Sequence, residues 1–115
     1  MALNMKESVQ HQVVVIELKG DVLGGPDAAL LNDRIHQLIS NGQKQVVLDM
    51  TSVNFMNSSG LGMLIGGLTT IKTAGGNMKL ANPAERIQSL LVVTKLSTLF
   101  ETFSSVEDAV NSFSK

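Results

Sequence analysis

The sequence predicts an α/β fold, a mixed but mostly parallel sheet of about four to five strands packed by about four α-helices. Three observations predict it. Short apolar or β-branched runs alternate with longer segments whose apolar residues recur every three or four positions. Turn signals built from Gly, Pro and Asn separate the two kinds of segment. No linker, repeat or low-complexity stretch interrupts the 115 residues, so residues 1–115 are expected to form one domain.

The elements follow in order. Val9 and the polar residues before it suit an edge strand, with His11 in the turn that follows. Val13-Val14-Val15-Ile16 and Leu18 form a β-branched strand, which Gly20-Asp21 is expected to end. Gly24-Gly25-Pro26-Asp27 is a turn into a helix, because Pro fits a first helical turn. Leu31, Ile35, Leu38 and Ile39 give that helix its apolar face, and Asn41-Gly42 stops it. Val46, Val47 and Leu48 read as a buried strand ended by Asp49. After Val53-Asn54-Phe55-Met56 a second helix carries Leu61, Leu64, Ile65, Leu68 and Ile71 up to Gly75-Gly76. Met78, Leu80 and Ala81 make the next strand. Pro83 opens a third helix through Ile87, Leu90, Leu91 and Val92. Phe100 and Phe103 about Thr102 admit a short strand. Ser105-Val106-Glu107-Asp108 resembles a capping box and starts a last helix through Ala109, Val110 and Phe113.

Composition narrows the function. The chain is 43% hydrophobic and 17% charged, a globular balance. Nine basic and ten acidic residues leave a net charge of -1, which gives no electrostatic case for nucleic acid or for direct membrane binding. Four Phe and no Trp or Tyr make base-stacking platforms scarce. Absence of Cys excludes disulfides, thiolate metal sites and thiol nucleophiles. His11 and His36 do not cluster with carboxylates at a metal-ligand spacing. No catalytic residue, metal ligand or cofactor is therefore assigned. The N-terminal residues lack a basic segment followed by an apolar run, so a cytoplasmic location is expected.

Nucleotide and hydrolase motifs fail on spacing. Gly60-Leu61-Gly62 lacks the third Gly of a dinucleotide fingerprint, and no P-loop is present. Neither Ser58 nor Ser59 has the preceding Gly of a nucleophile elbow. A small-ligand site at the Gly-rich helix start would lack any ribose- or base-selective group. Asp49, at a strand end, either serves a site or, more commonly for such a residue, fixes a turn through its side chain.

The richest segment is Asn57-Ser58-Ser59-Gly60, where a strand meets a helix. Ser58 there is either an N-cap, satisfying first-turn amides, or a phosphorylation site. A helix N-terminus tolerates a phosphate because its free donors and dipole favour negative charge. Four glycines, at 60, 62, 66 and 67, are unusual in this helix, since each costs up to about 1 kcal/mol relative to Ala. Gly66 and Gly67 are expected to allow close packing. Gly60 and Gly62 serve either packing or a partner.

The segment Asp49-Met50-Thr51-Ser52-Val53-Asn54-Phe55-Met56-Asn57-Ser58-Ser59-Gly60-Leu61-Gly62 closely resembles the signature of the STAS domain, the family of sulfate transporters and anti-sigma factor antagonists. The family pattern runs from an apolar strand ending in Asp or Asn to Phe-Met-Asp-Ser-Ser/Thr-Gly-Leu-Gly. The likeness extends over nearly the whole chain, and the length resembles that of a stand-alone antagonist. The resemblance implies a non-enzymatic partner-switching protein. It would bind an anti-sigma factor that is also a serine kinase, be phosphorylated by it at Ser58, and be restored by a metal-dependent Ser/Thr phosphatase. Ser59 is the fallback acceptor, although a cap role suits it better. The partner surface so implied comprises Asp21, Leu23, Gly24, Asn57, Ser58, Ser59, Gly60, Leu61 and Gly62. Two positions depart from the family. Asn57 stands where Asp usually precedes the Ser, and Leu23 where the first loop often carries an acid. These departures motivate an alternative, a STAS module that serves a transporter or signalling assembly without phosphorylation.

Overall fold

The computed structural model describes residues 3–114. Among them are five strands and four helices: β1 (Asn4–Gln10), β2 (Val13–Val22), α1 (Pro26–Ser40), β3 (Gln45–Met56), α2 (Ser58–Thr73), β4 (Asn77–Ala81), α3 (Glu85–Val93), β5 (Thr102–Phe103) and α4 (Val106–Ser112). The strands form one sheet in chain order, β1-β2-β3-β4-β5. β1 runs antiparallel to β2, and the remaining neighbours are parallel. The predicted fold class is the observed one.

Period-two alternation in β2 divides the core. Val14, Ile16 and Leu18 join Val46, Leu48, Met78 and Leu80 under the apolar faces of α1, α2 and α3. Val13 and Val15 point to the opposite face with Val47 and Ala81, where α4 covers them through Ala109 and Val110. Over residues 13–16 and 46–48 both faces are thus closed, which explains the unbroken apolar runs there. On the exposed side of α1, Arg34 reaches β1. Its guanidinium donates to both carboxylate oxygens of Glu7. That hydrogen bond, then the charge of Glu7, raises the Arg34 pKa above its ordinary value.

Two strands run further than their sequence signals suggest. β2 passes through Gly20-Asp21 to Val22, and β3 passes Asp49 to Met56. The reason is mutual pairing, since each supplies the other's ladder partners where local propensity fades. Val14–Val22 faces Val46–Met56, a stretch two residues longer. The surplus is taken up as bulges opposite Leu18 and between Gly20 and Asp21. A smaller difference concerns α3, whose first residue is Glu85 rather than Pro83. Pro83 lies in the approach, and its carbonyl accepts from the Gln88 side chain at 3.0 Å.

Lys79 is a feature that periodicity did not foretell. It lies in β4 between Met78 and Leu80, is 6% exposed, and faces the α4 side. Its Nζ is 2.8 Å from Ser112 Oγ and 4.2 Å from the centre of the Phe113 ring. The Glu101 carboxylate lies 3.6 Å away. A hydrogen bond, an aromatic face and an acid together compensate the buried ammonium.

The β1–β2 hairpin turns on His11 and Gln12, at φ 50° and 68°. Both residues are left-handed, the geometry that two-residue hairpin turns favour but that side chains resist. Replacing them together by Asn-Gly is expected to stabilise the fold by about 1 kcal/mol. A higher urea midpoint at unchanged slope is the check.

Candidate functional site

The site is built where β2 and β3 end side by side. Val22 pairs with Met56, and the residue that follows β3, Asn57, turns the chain into α2. The Asn57 amide donates to the Val22 carbonyl at 3.4 Å. Its side-chain oxygen accepts from the Gly60 amide at 2.8 Å. Asn57 is therefore the N-cap of α2. This corrects the cap readings of Ser58 and Ser59, which instead occupy the first helical turn. Asn provides the side-chain acceptor that a cap requires, and its extended backbone (φ -105°, ψ -176°) suits that position.

Ser58 and Ser59 are both exposed. Neither hydroxyl makes a hydrogen bond to another described residue. With the cap supplied by Asn57, the Ser58 hydroxyl is free at the positive end of α2. Gly60 is buried beneath it. A methyl group there would lie 1.8 Å from the Val22 carbonyl oxygen, so only glycine allows α2 to start this close to β2. Gly24, at φ 83°, makes the reciprocal approach from the β2–α1 loop. Its added methyl would come within 2.9 Å of the Ser59 carbonyl oxygen. Tertiary packing thus brings Leu23 and Gly24 to the start of α2, although about thirty residues of chain intervene.

Asp21 is half-buried and opposite Phe55 in the β2–β3 register. Leu61 is buried in the core, 3% exposed, so it anchors the helix rather than offering a contact. Gly62 is exposed, with open space where a side chain would project. Gly66 is likewise open, contrary to its expected packing role. Gly67 does pack, with Ile35 Cδ1 2.9 Å from an added methyl. Gly62 and Gly66 face Ala28, Ala29 and Asn32 of α1 across a groove of about 440 Å³. Thr70 closes one end by donating to Asn32 Oδ1 at 2.8 Å.

Phe55 was not among the expected site residues. It is 45% exposed, and Leu23 is 40% exposed. Two exposed apolar side chains therefore lie on the loop and strand that lead to this end of the fold. The alternation of β3 after its second bulge could have indicated Phe55, because Met56 beside it is buried. His36 is on the surface. Among the described residues, no three His, Asp or Glu side chains are grouped to hold a metal ion. No described helix is long and apolar enough to cross a membrane.

The STAS domain family model matches residues 4–109. The chain belongs to the STAS domain family. Among curated relatives of this STAS chain, the anti-sigma-B factor antagonist of Bacillus subtilis is 26% identical over 112 residues. That match covers 96% of this chain and 99% of the relative. A crystal structure of an anti-sigma factor antagonist from Mycobacterium paratuberculosis superposes with a TM-score of 0.82 at 18% identity, covering 99% of this chain and 96% of that one. The antagonist SpoIIAA is similar in two states. Its unphosphorylated form has a TM-score of 0.70 at 20% identity, covering 97% of both chains. Its phosphorylated form, from Bacillus, has a TM-score of 0.71 at 21% identity, covering 97% of this chain and 99% of that one.

Three substitutions test how this STAS domain builds its helix start. Asn57→Ala removes the cap and is expected to cost about 1 kcal/mol, whereas Asn57→Asp keeps an acceptor and gains from the dipole. Gly60→Ala forces a methyl against the Val22 carbonyl and should cost about 3 kcal/mol. Denaturant melts of the three variants give these differences directly.

Proposed function

We propose that this STAS chain is an anti-sigma factor antagonist whose binding is switched at Ser58. The observation that carries the reading is the exposed, unbonded Ser58 hydroxyl at the start of a helix that Asn57 already caps, with the Gly24 loop packed against Ser59. The partner is an anti-sigma factor that is also a serine kinase. Unphosphorylated, the chain binds it through the Ser58 turn, the Leu23-Gly24 loop and the exposed face of α2. The relatives named as anti-sigma factor antagonists support the partner class. The likeness to SpoIIAA in both phosphorylation states supports a fold that accommodates the modification.

Transfer places a phosphoryl group on Ser58 Oγ with loss of the hydroxyl proton. The group brings a charge of about -1.5 to -2 at neutral pH. Within the free protein it lies at the favourable end of the α2 dipole. Within a complex it must be desolvated, so the complex weakens while the fold survives. A metal-dependent Ser/Thr phosphatase reverses the step. The chain acts as the substrate in this cycle, with no catalytic role of its own, and works in the cytoplasm.

Asn57 and Leu23 favour a second reading, a constitutive STAS interaction module in a transporter or signalling assembly. Both remove negative charge that the family pattern places near the hydroxyl. Mass spectrometry of the protein from its own cell separates the two readings, because only the first produces a phosphorylated Ser58.

With the partner kinase, one phosphoryl group per chain is expected, and none in Ser58→Ala. Full incorporation in that variant would move the site elsewhere, Ser59 first. Ser58→Asp is expected to weaken binding to the anti-sigma factor by about 2 kcal/mol or more, as read by calorimetry.

A further inference from the structure

The first bulge of β3 contains a hydrogen-bond network that the proposed switch does not use. Glu17 pairs with Asp49 and Lys19 with Ser52, so Met50 and Thr51 together stand opposite Leu18. A bulged residue loses its regular ladder partner and needs another acceptor for its amide. Asp49 supplies it. One carboxylate oxygen, Oδ1, accepts from the Thr51 amide at 3.1 Å and from the Thr51 hydroxyl at 2.6 Å. The same hydroxyl oxygen accepts from Asn82 Nδ2 at 3.0 Å. Asn82 lies at φ 54°, and its amide donates to the Phe103 carbonyl at 2.6 Å. The bulge is thereby tied to the corner after β4. Asp49 stands beside another acid, Glu17, an arrangement that repels. Its favourable contribution is therefore the pair of hydrogen bonds.

We propose that Asp49 is a positioning residue for Ser58, holding the β3 bulge and so setting the register in which the Ser58 turn meets β2. The proposal rests on Ser58 being the phosphate acceptor. The geometry leaves little slack. Beyond the bulge, Lys19 meets Ser52, Gly20 meets Val53 and Val22 meets Met56. Loss of the bulge would bring Thr51 to Lys19 and turn every later side chain to the other face. Val53 and Met56, 5% and 6% exposed, would leave the core. Gly60 could not absorb the shift, because its backbone already abuts the Val22 carbonyl.

The test pairs phosphoryl transfer by the partner kinase with amide NMR of the whole chain. In Asp49→Ala, kcat/KM for Ser58 is expected to fall about tenfold or more, as misplacement of a reacting group by about 1 Å would cause. The Gly60 amide, bonded to Asn57 in the native turn, is expected to shift. Asp49→Asn keeps an acceptor oxygen and should restore most of the transfer. Thr51→Val keeps the side-chain shape while removing the hydroxyl. It should show the same two effects more weakly, and it decides the matter if Asp49→Ala does not fold. Native transfer with an unmoved Gly60 amide in both Asp49→Ala and Thr51→Val overturns the proposal. So does an Asp49→Asn variant as impaired as Asp49→Ala. If the native chain accepts no phosphate at all, the Ser58 reading falls, and the Gly60 amide in the variants alone decides the role of Asp49.

Discussion

Parallel pairing of β2 with β3 holds the sheet together at its centre and also delivers α2 to its place. β3 spans the shared length with two more residues than β2, and both strands finish together at Val22 and Met56. Everything at the exposed turn depends on that finish. The Asn57 amide reaches the Val22 carbonyl, Gly60 packs onto the same carbonyl, and the Gly24 loop closes over Ser59. Backbone fits against backbone here, so no side-chain movement can absorb a slip.

The division of labour in the turn follows from this contact. A helix start needs acceptors for its first amides, and Asn57 meets that need because it is the residue held against Val22. The serines that follow are released from capping. A hydroxyl without an intramolecular partner remains available to solvent or to another protein. A charge added there would have to lose water when the surface is covered, which makes such a contact sensitive to it. Substituting Asn for the usual acid lowers the negative charge at the turn without removing the cap.

The two faces of the sheet serve different ends. Three helices bury one face and fix the central strands, while the short α4 covers part of the other. Lys79, in the middle of that second face, is held by Ser112, Phe113 and Glu101. It joins the last helix to β4 at a point where an uncompensated ammonium would be costly. Away from α4 the second face is polar, and there the Asp49, Thr51 and Asn82 side chains interlock around the bulge.

The sequence by itself determined the α/β class, the order of elements and the identity of the Ser58 turn. Apolar period and turn residues are local signals, and the motif from Asp49 to Gly62 is contiguous. It also gave the cap at Ser105, whose side chain accepts from the Asp108 amide, because a capping box spans only four residues. What tertiary structure decided lies between segments. Strand ends at Val22 and Met56 depend on mutual pairing, which residues read singly do not reveal. The choice of Asn57 over Ser58 as cap depends on where the strand stops, a matter of register. Gly60 and Gly67 pack while Gly62 and Gly66 stay open, because each meets, or does not meet, a neighbour distant in the chain. The same reason applies to the Leu23-Gly24 loop, which only the fold brings to the start of α2.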